Sequence, residues 1–144
     1  MKILVSACLL GTPCRYDGKS KPCKEVIVLQ EKHTVVPVCP EVMGGLKTPR
    51  IPVELQAGRA IRKDGLDVTE NYEKGARTVL EIAQREGISV AILKARSPAC
   101  SPKGIYDGTF NKALTEGRGI CAQLLFENGI LILSEEELNK LEQL

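Results

Sequence analysis

Four short apolar runs mark the chain: Ile3 to Val5, Val35 to Val38, Val90 to Leu93 and Ile130 to Leu133. Each is nearly continuous rather than alternating, the pattern of a strand covered on both faces, as in a parallel sheet. The clearest helical period lies between the second and third runs. Over residues 70–86, Tyr72, Ala76, Val79, Leu80 and Ala83 share one face, with Thr69 as N-cap and Gly87 as stop. A second helix is predicted from Pro22, a favoured first-turn residue, through Val26, Ile27 and Leu29 to about His33. A third is predicted over Phe110 to Glu127, interrupted at Gly117 and Gly119. Ser134 and Glu137 have the spacing of a capping box, so Leu138 and Leu141 should lie on a short C-terminal helix. Residues 48–69 depart from this alternation. There Gly58 and Asp64-Gly65 separate short alternating stretches, as in a β-hairpin or meander inserted after the second strand. The expected fold class is α/β: one domain over 1–144, three layers, with a mostly parallel, Rossmann-like sheet.

At 144 residues the chain is long enough for a core that buries roughly two-thirds of the unfolded surface. Twenty Lys and Arg stand against 18 Asp and Glu, a net charge of +2, which argues against a nucleic-acid partner bound through phosphate charge. Aromatic residues at 3% argue against base-stacking platforms. The first residues lack the long apolar segment of a signal peptide, and no stretch has the length of a membrane span. The expectation is a cytoplasmic protein without a membrane partner. In that reducing compartment six cysteines point to thiol, metal or redox chemistry more than to disulfides.

Cys8 lies just past the first predicted strand, Cys39 directly follows the second, and Cys100 comes shortly after the third. Ligands bind at such carboxyl ends in a doubly wound sheet, and adjacent strands about 4.8 Å apart can bring three thiolates together. Cys23 and Cys121 sit among apolar neighbours at helical spacing and read as small buried hydrophobes. Cys14 is intermediate, on a loop beside the site. No cysteine pair has the spacing of a zinc knuckle and His33 is the only histidine, so zinc is the weaker of two open choices. An iron–sulfur cluster better suits thiolates drawn from separate strand ends. A metal-free enzyme with Cys8 or Cys14 as nucleophile leaves the convergence of three thiols unexplained.

Other residues flank these thiols. Glu41, two positions after Cys39, is a candidate general acid or base whose pKa partial burial should raise; the alternative is an ordinary exposed loop glutamate. The Gly44-Gly45 pair would let backbone approach a ligand. Ser97, three residues before Cys100, lacks a histidine base and reads as a hydrogen-bond donor to substrate rather than a triad nucleophile. Arg50 is a candidate for binding a carbonyl or an anion, or a solvated surface residue. Tyr-Asp-Gly occurs at Tyr16 to Gly18 and again at Tyr106 to Gly108, either as two ordinary turns or as two loops framing one pocket.

Taken in order, "SACLLGTPCRYDG", "CPEVMGGLKTPRIPVE" and "LKARSPACSPKGIYDGTF" closely resemble a bacterial family of thiouracil desulfidases, over nearly the whole chain. The resemblance implies a 4Fe-4S cluster held by three cysteines, with the fourth iron left open for a substrate's sulfur. The family's ligand positions fall on Cys8, Cys39 and Cys100, and its catalytic acidic and hydroxyl positions on Glu41 and Ser97. Ser101 stands where a glycine often follows the last ligand. The implied reaction is non-redox desulfuration of a small thiolated heterocycle, of the 2-thiouracil to uracil type, releasing hydrosulfide. In it Glu41 activates water and Ser97 orients the ring. Such a cluster is vulnerable to oxygen, so protein prepared in air can lack it. The alternative is a non-catalytic, cluster-carrying redox sensor or sulfur carrier.

Overall fold

The computed structural model describes residues 1–144. The first half of the chain forms β1 (Lys2–Ser6), α1 (Lys24–Val28), β2 (Thr34–Val38), α2 (Pro40–Met43), β3 (Val53–Gln56) and β4 (Arg59–Arg62). The second half forms α3 (Thr69–Arg85), β5 (Val90–Leu93), β6 (Gly104–Tyr106), β7 (Leu114–Glu116), α4 (Ile120–Glu127) and β8 (Leu131–Ser134). Short 3-10 segments follow β1 (Ala7–Leu10), α1 (Leu29–Glu31) and β8 (Glu135–Gln143).

The four predicted strands pair in parallel in the order β2-β1-β5-β8. Alternation along them builds three layers. Ile3, Val5, Val90 and Ile92 pack with Val26 of α1 and Leu141 of the C-terminal segment, whereas Leu4, Ala91 and Leu93 pack with residues of α3 and α4. Each fully buried aliphatic side chain of this kind contributes about 1.5–3 kcal/mol. Pro37, which has no N–H for a ladder, sits exposed on β2, an edge strand. From β1 the chain turns one way, through α1, to β2; it reaches β5, on the other side of β1, only through α3. The carboxyl ends of β1 and β5 therefore flank a topological switch point, where the loops part to leave a crevice.

Residues 48–69 contain the expected hairpin: β3 and β4 pair antiparallel around Ala57-Gly58, both at positive φ (49° and 80°), as a two-residue turn of this hand requires. The helix predicted over Phe110 to Glu127 is confined to Ile120–Glu127. The preceding residues belong to a second hairpin, β6 with β7, whose connection holds Phe110 and Lys112 at φ near 60°, a conformation a right-handed helix excludes. The long helix is as expected except at its start. Val68 takes the N-cap position, Asp67 accepts the Thr69 N–H at 2.8 Å, and the Thr69 hydroxyl instead accepts the Ala60 N–H at 2.9 Å. The Ser134–Glu137 capping box is present, but it opens a kinked 3-10 segment. Cys121 is buried as expected; Cys23 is only half-buried, and its thiol donates to Glu25 at 3.3 Å.

One packing detail places the site. A Cβ on Gly75 would fall 1.8 Å from the Pro40 carbonyl oxygen, and one on Gly44 would fall 2.0 Å from that of Asn71. The backbones of α2 and α3 thus touch, and Gly44 serves that contact rather than the approach of a ligand.

Candidate functional site

Cys8 lies in the 3-10 turn after β1, Cys39 between β2 and α2, and Cys100 in the loop after β5, so each comes from a different strand end. All three, with Cys14, line one cavity of about 560 Å³ at the switch point. The Cys39 thiol faces the Cys14 carbonyl at 3.8 Å, and the Cys14 thiol lies near those of Cys39 and Cys8. Cys100 is the most deeply set: its sulfur rests against the Ser6 hydroxyl, near Cys121, Glu41 and Cys39. All six cysteines are free thiols, and no three His, Cys, Asp or Glu side chains stand close enough to enclose a single metal ion.

Their surroundings favour the neutral thiol in the cofactor-free chain. The Cys14 contact and then burial push Cys39 up, burial pushes Cys100 well up, and burial alone takes Cys121 to about 12. At Cys14 the contact with Cys39 lowers the pKa, but the contact with Cys8 and burial outweigh it. Lys21, Lys63 and Lys112 line the same cavity without ion-pair partners.

Glu41 lies in the first turn of α2 and also lines the cavity. Its carboxylate is gripped from behind at both oxygens: Tyr72 Oη donates to Oε2 at 2.6 Å, and Arg50 Nη2 stands 3.3 Å from Oε1. Both charged side chains are largely enclosed, Arg50 8% and Glu41 15% exposed, so the pair is screened far less than a surface ion pair. Arg50 also donates to the carbonyls of Cys14 (3.0 Å) and Lys47 (3.2 Å), tying the Cys14 loop to Glu41, while its Nε is buried without a partner. Arg50 is therefore a carbonyl-binding residue inside the fold and not a solvated surface group. Tyr72 was legible in the sequence only as a core position; nothing in its helical period marks a hydroxyl aimed at a carboxylate 31 residues away. Burial and then the Glu41 charge push the Tyr72 phenol well up, which keeps it a donor.

Ser97 Oγ accepts the N–H groups of Ala99 (3.1 Å) and Cys100 (3.0 Å), which shapes the turn that carries Cys100. Its own hydroxyl proton remains available to the cavity that Ser97 lines. Ser101, in place of the glycine, donates to the Gly104 carbonyl and pins the start of β6. The loop is held from its other side by the acidic residues after β8. Glu135 accepts the Ala95 N–H at 2.7 Å and pairs with Lys94 at 3.2 Å, and Glu136 pairs with Arg96 at 3.3 Å. Tyr16 and Tyr106, from the repeated Tyr-Asp-Gly, both line the cavity, so the two loops do frame one pocket.

A family model described as 2-thiouracil desulfurase matches residues 3–137. The chain belongs to the 2-thiouracil desulfurase family. Within that family it is 39% identical to a Bacillus subtilis (strain 168) protein, the uncharacterized protein YbbK, over 95% of this chain and 97% of that one. It is also similar to a solved structure of a [4Fe-4S]-dependent thiouracil desulfidase, TudS, at 42% identity and a TM-score of 0.94. That match covers 99% of this chain and 95% of the other, so the expected α/β fold is the fold of this 2-thiouracil desulfurase relative throughout. No helix is long and apolar enough to cross a membrane.

Proposed function

We propose that the chain is an iron–sulfur-dependent desulfidase that converts a small thiolated heterocycle, of the 2-thiouracil type, to its oxo counterpart with release of hydrosulfide. The observation that carries this reading is the meeting, in one cavity, of a cysteine from each of three strand ends with a carboxylate held at both oxygens. Family membership supports it independently. The donor set suits a 4Fe-4S cluster: the ligand candidates are soft sulfur atoms, and their spread leaves no pocket for a single ion. Cys8, Cys39 and Cys100 would hold the cluster, one from each strand end. Cys14 would line the wall beside them. When bound through three thiolates, such a cluster supplies an iron with an exchangeable position, a Lewis acid matched to thione sulfur.

The remaining steps belong to the chain's own side chains. Glu41, aimed by Tyr72 and Arg50, accepts a proton from the water that attacks the thiocarbonyl carbon. Ser97 donates its hydroxyl proton in a hydrogen bond that orients the ring. The adduct then collapses: its hydroxyl proton passes to solvent as the C=O bond forms, the C–S electron pair leaves on sulfur, and the proton held by Glu41 completes hydrosulfide. No electron is gained or lost overall. The site works on a small molecule in the cytoplasm.

Protein reconstituted without oxygen should hold about four iron per chain and release sulfide from 2-thiouracil. A full cluster with no sulfide release from any thiobase would instead make the chain a cluster carrier.

A further inference from the structure

Glu54 is a buried carboxylate that the desulfuration steps leave unused. It is 8% exposed, on β3, and lines the same cavity as the cysteines. One of its oxygens, Oε1, accepts two backbone N–H groups from the β6–β7 connection, Gly108 at 3.0 Å and Phe110 at 3.1 Å. The other, Oε2, receives no donor from the protein and is not sealed from solvent. A carboxylate buried this far normally uses both oxygens, so one that lines a cavity with an oxygen unclaimed by the protein leaves an acceptor for a ligand's donor.

The loop that Glu54 holds is laid tightly on β3. Gln56 Nε2 donates to the Gly108 carbonyl at 2.8 Å, and a Cβ on Gly108, itself at φ 92°, would meet Gln56 Cγ at 2.7 Å. This attachment holds Phe110 at φ 60°, a conformation that bulky residues adopt only where surrounding contacts impose it, commonly at ligand clamps. Phe110 lines the cavity with Tyr16 and Tyr106, so three of the chain's five Tyr and Phe residues gather there. In a chain without tryptophan, such a concentration provides flat apolar surface for a flat ring.

We propose that Glu54 and Phe110 read the substrate ring: Glu54 Oε2 accepts a ring N–H, and Phe110 covers a face of the heterocycle. The inference rests on the desulfidase reading and narrows its substrate class to planar thiocarbonyl rings that carry an N–H. A ring whose nitrogens are all alkylated would cover Oε2 without offering it a donor, and such compounds are rejected. Tyr72, Arg50 and Ser97 set the reacting groups; Glu54 sets which ring is presented to them.

Steady-state kinetics on 2-thiouracil and on 1,3-dimethyl-2-thiouracil test this, using cluster-loaded wild type, Glu54→Gln and Phe110→Leu. Wild type should prefer the N–H compound by at least about 10-fold in KM. Glu54→Gln keeps an oxygen for the two loop N–H groups but turns a donor toward the cavity, so that preference should fall to within about 2-fold. Phe110→Leu should raise KM for both compounds. Equilibrium dialysis of labelled uracil against the cluster-free chain gives a readout apart from turnover: wild type binds and Glu54→Gln binds at least about 10-fold more weakly. A Glu54→Gln protein with full iron content, an unchanged preference and unchanged uracil binding overturns the proposal. If wild type releases no sulfide from either compound, the desulfidase reading fails, and the uracil measurement alone judges the ring-reading site.

Discussion

Tyr72 Oη donates a 2.6 Å hydrogen bond to Glu41 Oε2, joining α3 to α2 across 31 residues of sequence. The bond keeps a carboxylate on a short, half-exposed helix in one orientation, because its donor is 1% exposed and fixed within the core. A hydrogen bond to a charged group contributes about 1.5–3 kcal/mol. Tyr72→Phe removes that donor with little change in shape, so kcat should fall about 10- to 100-fold. KM and iron content should not change. Steady-state kinetics with iron analysis measure the split, and a matching loss of iron would make Tyr72 a structural residue only.

Glu41→Gln should cut sulfide release by about 10²- to 10⁴-fold yet leave the visible absorbance of the cluster intact, because Glu41 is not among the proposed ligands. In that background Tyr72→Phe should have no further effect on activity, since the hydrogen bond acts only through the carboxylate. A double-mutant cycle on residual turnover checks this.

The cysteines divide by iron content. Cys8→Ala, Cys39→Ala and Cys100→Ala should each lower iron and sulfide per chain to a small fraction of wild type after reconstitution, while Cys14→Ala should retain most of both. Retention by Cys100→Ala together with loss by Cys14→Ala would exchange their places as third ligand.

The contact of α2 with α3 should tolerate no side chain at Gly75. Gly75→Ala drives a methyl into the Pro40 carbonyl, a backbone atom that cannot turn away. Overpacking of this kind costs about 1–3 kcal/mol, a fall of about 3–10 °C in Tm for a chain of this size. Because Glu41 is the next residue after Pro40, the folded fraction should also turn over more slowly. Thermal unfolding and kinetics at a low assay temperature separate the two effects.

Stability at low pH should depend on Glu137. Burial alone would raise its pKa, but hydrogen bonds from Lys140 and the Ser134 N–H, with the charges of Lys103 and Lys140, pull it down to about 2 from an ordinary 4.5. A carboxylate depressed on folding stabilises the native state above its unfolded pKa and loses that contribution as the pH falls through the folded value. Urea unfolding between pH 5 and 2.5 should therefore show stability declining with pH, with a shallower decline in Glu137→Gln. The same slope in both proteins would remove Glu137 from the account.

Strand runs were legible because residues covered on both faces must be apolar without interruption, and the long helix because its buried face repeats at 3.6 residues. The helix expected from Phe110 failed for a local reason. Asp107-Gly108 and the positive φ angles at Phe110 and Lys112 commit that segment to a hairpin, held by its own Asp107 bonds and by Glu54 and Gln56 on β3. Cys23 packs against the core only partly buried, because, of its apolar neighbours in α1, Val26 is buried but Ile27 and Val28 are exposed.

By itself the chain determined the parallel sheet, the placing of Cys8, Cys39 and Cys100 after successive strand ends, and the candidacy of Glu41 and Ser97 beside them. These follow from periodicity and from residue types within a few positions of each other. Only the tertiary structure decided that Tyr72 and Arg50 grip Glu41, that Glu135 and Glu136 brace the Ser97 loop, and that Glu54 lines the cavity with one oxygen left without a protein donor. Such contacts join residues 9 to 56 positions apart. Local pattern is blind to partners so distant, because what brings them together is the strand order and the backbone contact between α2 and α3.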